Sequence, residues 1–321
     1  MLDNWVVLAY QLDGKGGGSA IPAAELSNEL SGSYWVHLDL NHEESHQWLR
    51  QSAGLEPVII DALTAEETRP RVVEMDDSAL IILRGVNLNE DADPEDMVSI
   101  RLYIDQHRII STRRRKLKAV ADIEEQISHG VGPKSSGELV SMLAARLGDR
   151  MEESITRLSE STDDVEESVI DNPDSGLRHQ IVEIRKQAIV FRRYLSPQRD
   201  ALAKLRSSEL VLFSKSDKRY FQETYDRTLR YVEDLDAARE RAQIVQDELT
   251  TLLTDRLNKN MYLLSVIAAV FLPLGFFTGL LGINVGGLPG VDNPMAFWEF
   301  SILLLVLVVL QILVFKWRKW F

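Results

Sequence analysis

The sequence predicts an α+β membrane protein. An N-terminal α/β cytoplasmic domain leads into a long stalk helix, continuous with the first of two C-terminal transmembrane helices. Three observations carry that prediction. Short β-branched runs alternate with helical patterns up to about residue 130. From residue 217 to residue 281 there is no proline except Pro273 and no glycine before Gly275, so little breaks a helix there. Two apolar runs, 261–283 and 296–315, each match the ~20 residues that a helix needs to cross a hydrocarbon core.

Charge divides the chain. The whole carries 36 basic and 49 acidic residues, a net −13. From Arg256 onward there are five basic and two acidic residues, a net +3, which leaves −16 on residues 1–255. An acidic body repels phosphate, so nucleic acid is not an expected partner. With no cysteine, the chain has no disulfide staple, thiolate metal site or cysteine nucleophile.

In chain order, residues 5–10, 35–40, 79–86, 98–105 and 107–113 read as strands, and 44–53, 57–63 and 117–127 as helices. A loop rich in glycine, proline and serine follows at 130–137. Two long helical patterns, 138–169 and 177–194, are broken by Asp-Asn-Pro-Asp-Ser-Gly at 171–176. Ser196-Pro197 is expected to end the second and open another segment. The 65 residues from 217 to 281, as one helix, extend about 98 Å at 1.5 Å per residue. A helix of that length bundles with copies of itself or with neighbouring helices, and runs on into the first span. The expected organisation is a cytoplasmic domain with a helical hairpin (1–195), stalk helices (196–260), a first span (261–283), an external loop (284–295), a second span (296–315) and a basic tail (316–321).

No charge interrupts the 32 positions between Lys259 and Asp292. Arg256 and Lys259 precede the first span, Lys316, Arg318 and Lys319 follow the second, and the loop between has no Lys or Arg. The positive-inside rule then places both termini in the cytoplasm, as a multi-pass protein of the cell inner membrane. The N-terminus, with no basic region ahead of an apolar stretch, does not read as a signal peptide. The second span is almost purely aliphatic, whereas the first carries Ser265, Ala268, Ala269, Pro273, Gly275, Thr278, Gly279 and Gly282. Small and weakly polar residues in a membrane helix mark close helix contact or a water-filled path. Back-bonding of Ser265 and Thr278 to their own helix is the simpler reading of each alone. Two helices enclose no pore, so transport requires an oligomer with the first span innermost.

Elsewhere the motifs read plainly. Gly-Lys-Gly-Gly-Gly-Ser at 14–19 lacks phosphate-loop spacing and reads as a strand-connecting turn. The basic run 113–118 reads as solvated or salt-bridging between subunits, and the acidic run 163–168 as a solvated helix end. His42 and His46, four apart and near Asp39 and Glu43, have the spacing of a metal pair on one helix face, although capping and surface placement explain them as well. No enzyme motif stands out, and the chain is not expected to be an enzyme.

Residues 278–290 read Thr-Gly-Leu-Leu-Gly-Ile-Asn-Val-Gly-Gly-Leu-Pro-Gly. With Gly282-Ile283-Asn284 at the outer end of the first of two C-terminal spans, the chain resembles the CorA family of divalent-cation transporters, which carries Gly-Met-Asn at this place. The resemblance extends to 192–202, to 220–235, to Phe-Leu-Pro at 271–273 and to the basic C-terminus. Isoleucine for methionine, Leu281 where an aromatic is usual and the following Val-Gly-Gly are most similar to the ZntB zinc-transporter branch. They point away from magnesium as the main substrate.

The resemblance implies a pentameric funnel, a homopentamer in the lipid bilayer, with five first-span helices lining the pore and Gly282, Ile283 and Asn284 forming the ion entrance. It places Asn258, Met261, Leu272 and Gly275 facing the pore, and Ser265 joins them on heptad spacing. Five Asn284 carboxamides offer a ring of oxygens to a hydrated dication, while Asp292 and Glu299 add negative charge at the outer mouth. Zn2+ is the expected transported ion, with other divalent cations open; no histidine, cysteine or carboxylate in 261–283 selects it. Channel conduction and proton coupling fit these residues equally, as do both directions of transport. A different class also stays open: a membrane-tethered oligomeric scaffold or sensor whose spans only anchor it.

Overall fold

β-branched and aromatic residues alternate across the strands of the first unit, and the parity of each strand decides which core a side chain enters. The strands are β1 (Val6–Leu12), β2 (Gly18–Ala20), β3 (Tyr34–Asp39), β4 (Arg71–Met75), β5 (Ser78–Gly85), β6 (Val98–Ile104) and β7 (Arg108–Arg113). They form one sheet in the order β2-β1-β3-β7-β6-β5-β4. Only β3 and β7 run parallel; every other neighbouring pair is antiparallel. The computed structural model describes residues 4–26, 32–283, 288, 290 and 292–318, in two units, Met1–Asp247 and Glu248–Phe321.

Helices cover both faces of the sheet, as its two apolar faces require. On one side α1 (Glu43–Gln51) and α2 (Pro57–Thr64) pack Leu49, Ile59 and Leu63 against Val36, Leu38 and Ile110. On the other, α3 (Lys118–Ser128), α4 (Ser136–Asp171) and α5 (Leu177–Arg206) pack Ile123, Leu143 and Leu202 in the core that holds Trp35, Ile81, Leu83 and Ile109. Adjacent residues thus enter opposite cores, Trp35 and Val36 on β3 and Ile109 and Ile110 on β7. Ser135 caps α4, its side chain accepting from the Glu138 amide at 3.1 Å, while Glu138 accepts from the Lys134 amide at 2.7 Å.

Two expectations are corrected. Helix α5 does not end near Ser196: it runs through Pro197 to Arg206. Proline removes one helical hydrogen bond, but Leu195, Ala201, Leu202 and Leu205 on the flanking turns are buried, and Gln198 Oε1 accepts from the Arg84 amide of β5 at 2.7 Å. Tertiary packing outweighs the local breaker. The run 14–19 is a turn, with Gly14 and Gly16 at positive φ, but it also feeds a three-residue edge strand, β2, that has no apolar signature. β4, likewise unanticipated, buries only Val72 fully and forms an edge hairpin with β5.

One helix, α6, runs unbroken from Lys215 to Leu281. Within the first unit it buries Phe221, Thr224, Thr228, Tyr231, Val232, Leu235, Ala238, Ala242 and Val245, a stripe at threes and fours. Ion pairs bracket the stripe: Arg227 with Asp149 and Arg241 with Asp163 and Glu166 tie α6 to α4, and Arg192 with Asp236, at 2.6 Å, ties it to α5. The acidic run 163–168 is therefore a docking edge for Arg241 as well as a solvated helix end. In the second unit α7 (Ala296–Trp317) follows the end of α6.

Candidate functional site

The second unit holds two helices with the length and composition to cross a membrane: α7 and the C-terminal part of α6. Its geometry starts from Pro273. With no N–H, Pro273 leaves the carbonyl four residues earlier, Ala269 O, without its helical donor. The side-chain amide of Gln311 in α7 donates to that oxygen at 3.4 Å. In hydrocarbon a neighbouring helix is the only source of such a donor besides water, and Gln311 supplies it. Sequence reading passed over Gln311 by treating the second span as uniformly aliphatic; a lone amide in such a run, with a proline in the facing helix, was the available signal.

The Ala269 contact defines which face of α6 meets α7. On it lie Val266, only 8% exposed, and the half-buried Ala269, Val270, Pro273, Leu274 and Phe277. At 100° per residue, Asn258, Met261, Ser265, Leu272 and Gly275 centre about 140° around the helix from that stripe. All five are exposed, Met261 by 66% and Leu272 by 71%. The face opposite α7 is therefore the one bearing the heptad-spaced set. Among the described residues none covers it: every residue from 254 to 265 is exposed.

Along this part of α6 the polar side chains satisfy themselves locally. Ser265 Oγ donates to Met261 O at 2.8 Å, and Thr278 Oγ1 donates to Leu274 O at 2.8 Å and lies 3.1 Å from Gly275 O. Gly275 and Gly279 leave open space where a Cβ would stand, so a second backbone can approach closely. α6 ends at Leu281, and the Gly282 amide closes its last turn on Thr278 O at 3.0 Å. Ile283 follows, 47% exposed, while Asn284 lies outside the described residues.

At the start of α7, Glu299 occupies the first turn, where a carboxylate is favoured by the helix dipole, and Asn293 Nδ2 lies 3.4 Å from its Oε2. Asp292 is exposed on the connection ahead of it. In the first unit, His42 precedes α1 as its N-cap, and His46 Nε2 lies 3.1 Å from Leu40 O. The helix-face geometry that the spacing suggested is therefore not formed. No group of three His, Cys, Asp or Glu among the described residues is arranged to hold a metal ion.

Comparison with known proteins places this architecture. A family model described as CorA-like Mg2+ transporter protein matches residues 31–317. The divalent cation transporter CmaX of Pseudomonas aeruginosa is 42% identical over 323 residues, covering 99% of this chain and 97% of the relative. The zinc transport protein ZntB of Pectobacterium carotovorum is 40% identical, covering 94% and 92%. Among solved structures, full-length CmaX superposes with a TM-score of 0.86 at 41% identity, covering 99% of this chain and 98% of that one. The CorA magnesium transporter of Methanocaldococcus jannaschii shares the fold, with a TM-score of 0.81 at 23% identity over 98% and 99% of the chains. The chain belongs to the CorA-like Mg2+ transporter family, a family of divalent-cation transporters.

Proposed function

We propose that this protein moves divalent cations, zinc foremost, across the cell inner membrane through a central pore. Five copies assemble with α6 innermost and α7 towards lipid, the body and both termini lying in the cytoplasm. One observation carries the reading: the face of α6 turned away from α7 holds Asn258, Met261, Ser265, Leu272 and Gly275, and none of the described residues covers it. A helix that only anchored the body in lipid would gain nothing from carrying Asn258, Ser265 and Gly275 on that face.

On this reading Gly282, Ile283 and Asn284 form the outer entrance. Five asparagine amides present oxygens to the first-shell waters of an incoming dication, and Asp292 and Glu299 raise the local cation concentration. Met261 and Leu272 ring the pore as apolar constrictions that gate by dewetting. Zinc as cargo follows from the zinc transport proteins among the relatives, and no donor in the span selects it.

The test is zinc uptake into proteoliposomes holding the purified protein, with and without an inward proton gradient. Flux that fails in Asn284→Ala supports the entrance, and a response to the gradient adds proton coupling. Absence of flux for zinc, cobalt, nickel and magnesium in intact oligomers contradicts transport and leaves the tethered scaffold.

A further inference from the structure

The basic run at 113–118 is not simply solvated. Arg114 and Arg115, just past the end of β7, line a cavity of about 470 Å³ together with Arg84, Arg101, Arg193 and Tyr194, walled also by Glu66 and Glu67 from the segment after α2. The five arginines face three lining carboxylates, Glu66, Glu67 and Asp96, an excess of positive charge in a body that is strongly acidic. None of the five forms an ion pair within 4.0 Å among the described residues.

Their hydrogen bonds sharpen the point. Arg84 lies 4.0 Å over the Tyr194 ring and donates from Nε and Nη2 to Thr68 O, at 3.0 and 2.9 Å, and from Nη1 to Met97 O at 2.5 Å. Arg101 is 1% exposed; its Nη2 donates to Ala65 O at 2.7 Å, while its Nε and Nη1 are buried without any partner. Arg114 donates from Nη2 to Thr64 O at 3.0 Å and leaves its own buried Nε unpartnered. Three guanidinium groups thus hydrogen-bond to carbonyls, two of them with buried N–H groups left unpartnered, while Tyr194 and the charge of Glu67 also support Arg84. Burial, reinforced by Arg114 and Arg84, pushes the Arg101 guanidinium down to about 10, still charged at neutral pH.

Buried guanidinium groups that outnumber the carboxylates around them are costly, and paired N–H donors in a fixed fork match the oxygens of a tetrahedral anion. The geometry points to a binding site for a phosphate-class oxyanion, inorganic or carried on a phosphomonoester, lined by Arg84, Arg101, Arg114, Arg115 and Arg193. Arg193 and Arg115, both exposed, stand at the mouth and draw the anion in. Volume beyond a single phosphate remains for an organic group against Val98 and Val190. This site is independent of the transport reading, since it lies wholly within the first unit.

Equilibrium dialysis of the full-length protein in detergent tests it, with labelled inorganic phosphate and labelled AMP as probes in a chloride buffer of physiological strength. The expected result is saturable binding near one per chain, weakened roughly tenfold or more in Arg101→Gln and in Arg193→Glu. The tighter probe identifies the source of the phosphate. Arg193→Glu changes an exposed residue and keeps the test decisive if Arg101→Gln does not fold. No saturable binding of either probe, or unchanged binding in either folded variant, overturns the assignment.

Discussion

Two residues in the first unit show how far local chemistry reaches. His37 is wholly buried on β3, with Nδ1 2.8 Å from Ser111 Oγ, and that oxygen also accepts from Trp35 Nε1 at 2.8 Å. Ser111 Oγ also lies 3.3 Å from Val36 O, and His37 Nε2 is buried without a partner. Burial first, then the charge of Arg113, hold His37 down from 6.5 to about 3. Between those values the unfolded chain takes up a proton that the folded chain refuses, so stability falls as pH drops, by up to about 5 kcal/mol over the window. Thermal unfolding from pH 7 to pH 4 should show that slope, and His37→Phe should flatten it; equal slopes would refute the assignment. Glycines give a second contrast. A Cβ on Gly137 would collide with Leu212 O, whereas one on Gly148 would meet Thr224 Cγ2 at an ordinary 3.5 Å. Gly137→Ala should cost about 1–3 kcal/mol or more, and Gly148→Ala should be neutral or stabilising through helix propensity. Melting temperatures of the two variants check the order.

Helices and strands differ in how far they could be read in advance. α6 was legible because nothing between 217 and 272 breaks a helix, and the spans because each is apolar at membrane length. α5 was misjudged at Pro197, where packing onto the sheet overrides the local rule. β2 and β4 went unseen because short edge strands bury too little to leave an apolar signature. The arginine cavity was invisible for another reason. Its residues come from β5, β6, the end of β7, the segment after α2 and α5, and the sheet register, with Arg101 opposite both Ile82 and Thr112, and the packing of those elements bring them together. Within the spans, the bond from Gln311 to Ala269 O makes a testable pair with Pro273. Pro273→Ala restores a helical N–H to that carbonyl, so Gln311→Leu should cost less in that background than in the wild type. A coupling of about 0.6–2 kcal/mol is expected from a double-mutant cycle on unfolding in detergent. Strict additivity would show that Gln311 does not serve the proline.

At the scale of the whole molecule, α6 runs unbroken from an ion-paired, well-packed stretch in the first unit to a candidate span in the second, whose face away from α7 is exposed. On the proposed reading that exposure calls for other copies, because among the described residues nothing buries the segment 254–265 or the face of α6 with Leu272 and Gly275. The account's central claim is that this stripe lines the pore. Since the chain has no cysteine, single replacements need no cleared background. Ser265→Cys and Leu272→Cys place thiols on the stripe, and Val266→Cys places one on the α7 side. Zinc flux into proteoliposomes, measured before and after a charged methanethiosulfonate reagent, decides the matter. The account predicts block at residues 265 and 272 with residue 266 spared; unimpeded flux at the first two, or equal block at all three, would contradict it.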